Sequence, residues 1–349
     1  MVSALVSLCL AIPMPAVLIG SQDRIIAANQ GAADLLGDGQ PDALSGRHYM
    51  TILRQPTVLD AVEATLRDGL PQETRYLAND GAQDTTFVTR CASVETGQGQ
   101  GVLVSFEDIT HFQQASQMRR DFVANVSHEL RSPLTALMGF IETLRGPARN
   151  DKEASTRFLD IMQDEAERME RLVRDLLSLS RVEAQERVRP QTTVDLCEIV
   201  HSVLQTLTPL GRETNVSLNS ITPEDDALVV RGDPDQLRQV LTNLVENAIK
   251  YGGPDRAVHV TLKTSENDPL VLGPAAHLTV QDEGPGFEAV HIPRLTERFY
   301  RVDNHRSREM GGTGLGLAIV KHILNRHRGR LRISSAVGKG SEFRAILPL

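Results

Sequence analysis

The chain has 349 residues, 40% of them apolar and 23% charged, with a formal net charge of -8. That length holds two or three domains with soluble cores, and the acidic balance argues against a broad nucleic-acid-binding face. Its three cysteines, Cys9, Cys91 and Cys197, form no CxxC pair, which points to a reducing compartment and argues against a disulfide frame or a zinc site.

Residues 1–20 are apolar and carry no charge. About 20 apolar residues are needed to span a bilayer. Pro13 and Pro15 interrupt this stretch, and no Lys or Arg flanks its start as a signal peptide requires. It reads as a helix leading into a first strand at 16–19, with a membrane span as the alternative. Residues 1–110 then read as α+β, with strands at 17–19, 25–28, 73–77, 86–92 and 101–108. Turn signals separate them at 21–23, 79–81 and 97–99. The run from Asp23 to Ala33, with Leu35-Leu36-Gly37 after it, resembles the opening of a PAS sensor domain. A generic small α+β domain is the competing reading, and no haem- or flavin-attachment signature is present.

Residues 111–187 read as two helices. Val123, Leu130, Leu137 and Leu144 fall seven apart, and Ser127, Leu134 and Ile141 form a second line of the same seam. Gly146-Pro147 ends the first helix. The second carries Phe158, Met162, Glu165, Met169, Leu172, Leu176 and Leu179 at alternating spacings of four and three. Such narrow seams are not buried by one chain; two chains together make a four-helix bundle. Glu165 breaks the second seam, either as a polar layer or as a snorkelling side chain.

Residues 187–193 are a polar link. From 194 onward the pattern is α/β: helices at 196–210, 233–251 (with Asp233 as N-cap) and 313–327. Strands are expected at 215–221, 228–231, 258–263, 277–281, 330–335 and 342–347, and a turn-rich loop at 266–274.

The chemistry sits in four separated motifs. The first is Ser127-His128-Glu129-Leu130-Arg131-Ser132-Pro133-Leu134-Thr135. In the heptad frame Ser127 and Leu130 face the seam, so His128 and Glu129 are expected to point outward. Ser132 lies one turn on, on the outer face. An exposed imidazole can attack phosphorus with one nitrogen while the other stays protonated, and Glu129 is placed to hold that proton and act as a base. Pro133 removes a backbone hydrogen bond just past the site. Taken alone, a surface His-Glu pair is the better reading.

Asn243, Glu246 and Asn247 share a helix face, with Lys250 and Tyr251 one turn on. Amide oxygen from Asn247, assisted by Asn243, suits a magnesium triphosphate, because Mg2+ takes oxygen ligands and keeps several waters. Asp282-Glu283-Gly284-Pro285-Gly286 follows an apolar strand, where a carboxylate can accept the exocyclic amine of adenine. Gly284 and Gly286 permit close backbone approach. Gly311-Gly312-Thr313-Gly314-Leu315-Gly316-Leu317 opens a helix whose N–H groups can receive phosphate oxygens. It is neither a P-loop nor a dinucleotide fingerprint. Between these glycine motifs, residues 295–303 include Phe299 and Arg301; Arg301 either contacts phosphates or is a solvated charge. Residues 303–310 read as a lid.

In this order the motifs resemble the H, N, F and glycine boxes of the sensor histidine kinases of two-component signalling. The resemblance covers about the last two thirds of the chain. It implies a PAS-like sensor domain (1–110), a dimerisation and phosphotransfer hairpin (111–187), and a Bergerat-type α/β-sandwich ATP-binding domain (188–349), the fold shared with gyrases, Hsp90 and MutL. It further implies ATP and Mg2+ as cofactors, a homodimer, and transfer of the γ-phosphate to His128 and then to an Asp of a response regulator. No direct nucleic-acid partner is implied. In the family Asp282 selects adenine. Many relatives carry Thr or Asn in place of Ser132, where the side chain positions water for dephosphorylating the partner; serine keeps a hydroxyl, and phosphatase activity is left open.

The sequence Gly139-Phe140-Ile141-Glu142-Thr143-Leu144 is similar to the phosphate-regulon branch of that family, which implies phosphate-starvation signalling and a phosphate-regulon response regulator. Relatives are often membrane-bound, so the expected location is cytoplasmic, with the inner face of a membrane as a variant and spans either absent or upstream. Two other classes compete: an ATPase or chaperone of the same nucleotide fold, and a non-catalytic sensor or scaffold module.

Overall fold

Period-two burial organises the first part of the chain. In β1 (Ala16–Ile19), Val17 and Ile19 face one core while Ala16 and Leu18 face another. The computed structural model describes residues 2–349 except 38, 80–83, 97–98, 224–226 and 303–311, with backbone alone at 2, 3, 115 and 119. The expected turns at 79–81 and 97–99 lie partly outside the described residues, and the expected lid at 303–310, with Gly311, lies wholly outside them. The chain forms two compact units, Met1–Val123 and Ala124–Leu349.

In the first unit the antiparallel sheet order is β2-β1-β5-β4-β3. Its strands are β1, β2 (Ile25–Ala28), β3 (Gln72–Asn79), β4 (Asp84–Thr96) and β5 (Gly99–Asp108). Helices α2 (Gln30–Leu35), α3 (Pro41–Leu44), α4 (Tyr49–Ile52) and α5 (Pro56–Asp68) lie between β2 and β3. From α5, Val58, Ala61 and Val62 enter a core with Ile25, Phe87, Val104 and Phe106. Helix α1 (Val2–Ala11) accounts for the apolar start. Its Cys9, with Leu5 and Val6, packs on Ala16, Leu18 and Ala27. No described helix is long and apolar enough to cross a membrane.

Helices α6 (Thr110–Arg145) and α7 (Lys152–Gln185) match the expected hairpin. Asp151 caps α7, its Oδ1 accepting from the Ala154 N–H at 3.0 Å. The second seam faces inward, with Leu172 and Leu179 fully buried. On α6, Leu130, Leu137 and Leu144 are half-buried, whereas Leu134 and Ile141 are 52% and 38% exposed. Phe140 stacks on Phe158 with centroids 5.4 Å apart, and α6 continues through a buried Pro133.

The rest of the second unit is a helix-on-sheet layer. Its five-stranded sheet has the order β11-β12-β10-β9-β7. The strands are β7 (Val216–Ile221), β9 (Arg256–Asp268), β10 (Gly273–Asp282), β11 (Arg330–Ser335) and β12 (Ser341–Pro348). All neighbours are antiparallel except β7 and β9. A two-stranded ladder pairs β6 (Thr193–Asp195) with β8 (Val229–Arg231). Helices α8 (Leu196–Glu213), α9 (Pro234–Gly252) and α10 (Gly316–Arg326) pack on the sheet. Two expectations are corrected. The loop at 266–274 shrinks to residues 269–272, because β9 and β10 pair as far as Asp268 and Gly273. The helix expected from 313 begins at Gly316.

Candidate functional site

The site is built on α9. Asp233 caps it, Oδ1 accepting from the N–H groups of Asp235 (3.1 Å) and Gln236 (3.3 Å), and Pro234 takes the first turn. Leu237, Val240, Leu241, Leu244, Val245 and Ala248 are buried against the sheet layer. That burial turns Gln239, Asn243, Glu246, Asn247 and Lys250 toward a cavity of about 560 Å³. Lys250 Nζ lies 3.3 Å from Glu246 Oε2, and Asn243 Nδ2 donates to the Gly316 carbonyl at 3.5 Å. Tyr251, Asp282, Gly286, Arg301, Thr313, Gly314 and Gly316 complete the part of the lining expected from sequence.

Asp282 ends β10 and is only 4% exposed. Burial pushes its carboxyl up from the ordinary range; N–H groups from Gly284 and Ser341 and the charge of Arg256 oppose the shift. The Gly284 N–H donates to Oδ1 at 2.8 Å. The turn between β11 and β12 closes underneath: Gly340 has φ +79°, and a Cβ there would overlap the Asp282 carbonyl oxygen.

Three expected residues do not line the cavity. Gly284 supports Asp282, and Leu315 is fully buried in the core. The Phe299 N–H donates to the Gly314 carbonyl at 2.8 Å, pinning the glycine motif to the preceding segment. Thr313, Gly314 and Gly316 still reach the cavity, at the start of α10.

His128 and Ser132 are both exposed on α6, and Ser132 Oγ donates to the His128 carbonyl at 3.2 Å. The expected outward direction of Glu129 is corrected. Its side chain is 15% exposed, and Oε2 accepts from Arg301 at 3.1 Å and from Arg168 at 3.3 Å. Two buried or half-buried guanidinium groups outcompete solvent for this carboxylate. Arg301 itself is 4% exposed, so it is no solvated charge.

Sequence reasoning missed the contribution of α7. Arg171, Arg174 and Asp175 line the same cavity, as do Arg238, Thr242 and Ser341. Thr313 Oγ1 donates to Asp175 Oδ2 at 2.7 Å. Burial pushes the Asp175 carboxyl up; the Thr313 bond opposes this, nearby Glu246 adds to it, and Lys250 and Arg174 oppose it. Further along α7, Glu183 pairs with Arg298 at 2.5 Å, and Glu186 accepts from His322 and Asn325 on α10. Nothing in the local pattern of α7 connects it to a glycine motif 138 residues away.

As a whole the cavity offers a buried carboxylate at one end, a glycine-rich helix start, and an amide-lined helix face. That set suits a purine nucleotide with a phosphate chain. Among the described residues no cluster of three His, Cys, Asp or Glu could hold a metal ion alone. The oxygen donors of Asn243, Glu246 and Asn247 fit a hard cation that takes its remaining ligands from phosphate and water.

Residues 232–349 match the family of histidine kinase-, DNA gyrase B-, and HSP90-like ATPases. Residues 118–185 match the His Kinase A phospho-acceptor domain, and residues 11–114 the PAS fold. The chain is 43% identical over 243 residues to the phosphate regulon sensor protein PhoR of Pseudomonas aeruginosa, covering 69% of this chain and 52% of the relative. It is 33% identical over 333 residues to the sensor histidine kinase WalK of Bacillus subtilis, covering 93% and 53%. The chain thus spans about half the length of these curated relatives. Among solved structures, histidine kinase ThkA in complex with response regulator protein TrrA aligns with a TM-score of 0.53 at 22% identity, over 98% of this chain and 97% of that one, a likeness of fold.

Proposed function

Because the chain belongs to the sensor histidine kinases, we propose that it is an ATP-dependent protein-histidine kinase of a two-component system. The observation that carries this reading is the pairing, in one unit, of an exposed His128 with a cavity lined by Asn243, Asn247, Asp282 and the glycine motif. The proposed domains are sensor (1–110), dimerisation and phosphotransfer (111–187), and ATP-binding (188–349).

In the proposed reaction Asp282 accepts the adenine amine, and the N–H groups at the start of α10 receive phosphate oxygens. Asn247, with Asn243 and Glu246, would hold Mg2+, whose charge would offset that of the phosphates. An imidazole nitrogen of His128 attacks the γ-phosphorus, the bond to the β,γ-bridging oxygen breaks, and ADP leaves. The other ring nitrogen gives up its proton to Glu129 once that carboxylate is released from Arg301 and Arg168. The phosphoryl group then passes from nitrogen to an Asp oxygen of a response regulator. The hydroxyl of Ser132, one turn from His128, supports a water-positioning role in dephosphorylating that regulator.

The 43% identity to PhoR supports phosphate-starvation signalling and a phosphate-regulon regulator as partner. A WalK-type pathway is the second reading, favoured by a match over 93% of the chain. The exposed seam residues Leu134 and Ile141 support a homodimer closed as a four-helix bundle.

The test is incubation of the purified chain with γ-labelled ATP and Mg2+ beside His128→Gln. Acid-labile, alkali-stable label on the wild type alone is expected. ATP hydrolysis without label would place the chain among ATPases of the same fold. Transfer from labelled chain to each candidate regulator separates the two pathways by rate.

A further inference from the structure

In the second unit a carboxylate from outside all the nucleotide motifs stands in the nucleotide cavity. Asp175 belongs to α7, yet it lines the cavity together with Glu246, Lys250 and Thr313. It is held there: Thr313 Oγ1 donates to its Oδ2 at 2.7 Å. On the reading above, Thr313 sits in the phosphate cradle, so Asp175 is a negative charge at the phosphate end of the site. Each arginine or lysine lining the cavity has an acidic partner other than Asp175: Lys250 lies 3.3 Å from Glu246, Arg174 2.7 Å from Glu170, Arg238 2.8 Å from Asp235, Arg171 3.9 Å from Glu167 and Arg301 3.1 Å from Glu129, and Lys250 and Arg174 offset the Asp175 charge only in part.

We propose that Asp175 is a specificity-determining residue of the nucleotide site, disfavouring ATP relative to ADP while α7 is docked on the glycine motif. The inference rests on the nucleotide-binding reading of the cavity. Its physics is like-charge repulsion in a partly desolvated site, where a carboxylate acts more strongly than in water. The magnesium complex of ATP carries one more negative charge than that of ADP, so the penalty falls on the triphosphate. Burial pushes the Asp175 carboxyl up toward its neutral form, while the Thr313 bond and the charges of Lys250 and Arg174 favour the ionised carboxylate. Because the charge rides on α7 and not on the ATP-binding layer, withdrawal of α7 removes it. Nucleotide preference thereby follows helix position, and the docked arrangement favours the spent nucleotide over the donor.

Asp175→Asn removes the charge and keeps an oxygen to accept from Thr313. The experiment is titration calorimetry of the full chain with Mg-ADP and with a non-hydrolysable Mg-ATP analogue. Wild type, Asp175→Asn and the charge-retaining Asp175→Glu are compared at low ionic strength. In Asp175→Asn the ratio of ATP-analogue to ADP affinity is expected to rise about tenfold, which corresponds to about 1.4 kcal/mol. Asp175→Glu keeps the wild-type ratio. ADP affinity in each variant reports whether the cavity is intact, so a purely structural role for Asp175 would move both nucleotides together. Equal shifts, or no shift, would overturn the inference and leave the kinase reading standing. Absence of binding of either nucleotide to the wild type would remove both.

Discussion

The Glu129–Arg301 contact lends itself to a quantitative test by a double-substitution cycle. Glu129 and Arg301 are 15% and 4% exposed and 3.1 Å apart, too buried for the zero to about 1 kcal/mol typical of surface pairs. Removing one partner of a buried pair costs about 3–5 kcal/mol, because the other charge is left desolvated. Glu129→Gln keeps an oxygen that can accept, and Arg168 retains Glu165 at 3.7 Å, so the expected cost falls to about 2–3 kcal/mol. Arg301→Gln should cost less, because Glu129 still has Arg168 at 3.3 Å. The asymmetry follows from the geometry: one carboxylate oxygen serves two guanidinium groups. The coupling energy of the pair should lie at about 1–2 kcal/mol. The assay is urea unfolding followed by far-UV circular dichroism. A coupling below about 0.5 kcal/mol, or a larger cost for Arg301→Gln than for Glu129→Gln, would refute the reasoning.

Three further outcomes are expected. His327 is buried, its Nε2 accepting from the Asp233 N–H at 2.9 Å while Nδ1–H donates to the Ile323 carbonyl at 2.7 Å, and burial lowers its pKa below the ordinary 6.5. The unfolded chain therefore binds this proton more readily, so stability is complete above 6.5 and is lost as pH falls toward the folded value; denaturation midpoints at pH 7.5 and 5.5 should show the drop, and His327→Gln should lessen it. Leu244→Ala empties a fully buried position under α9 and should destabilise the second unit by about 2–5 kcal/mol in the same urea assay. Asp282→Asn should weaken ATP binding about tenfold or more and narrow the preference for ATP over GTP, measured by calorimetry; an unchanged preference would count against adenine recognition by this carboxylate.

The strands of the first unit were readable from the sequence, whereas α5, which buries Val58, Ala61 and Val62 on one face, was not expected there. The five strands of the first unit lie where expected, and α9 begins behind its expected N-cap, Asp233. The one-turn helices α3 and α4 carried no such signal, since four residues bury too few side chains to make a pattern. The heptad frame assigned faces on α6 as though only its own seam mattered. Glu129 then turned out to be drawn in by Arg168 and Arg301, partners 39 and 172 residues away. The same limit hid Asp175: its significance comes from Thr313, and only the tertiary structure brings them together. The shared face of Asn243, Glu246 and Asn247 on α9 was legible from spacing, whereas the cavity-lining residues supplied by α7 were not.

The unequal exposure along α6 bears on how the molecule behaves on dilution. Leu134 at 52% and Ile141 at 38% exposure leave apolar surface in water that a second copy would cover. Free energy gained that way obeys mass action, so the proposed dimer would empty as protein is diluted. The melting temperature of the hairpin should then rise with chain concentration, and rate constants taken at nanomolar and at micromolar chain would describe different species. Sedimentation across that range would place the crossover.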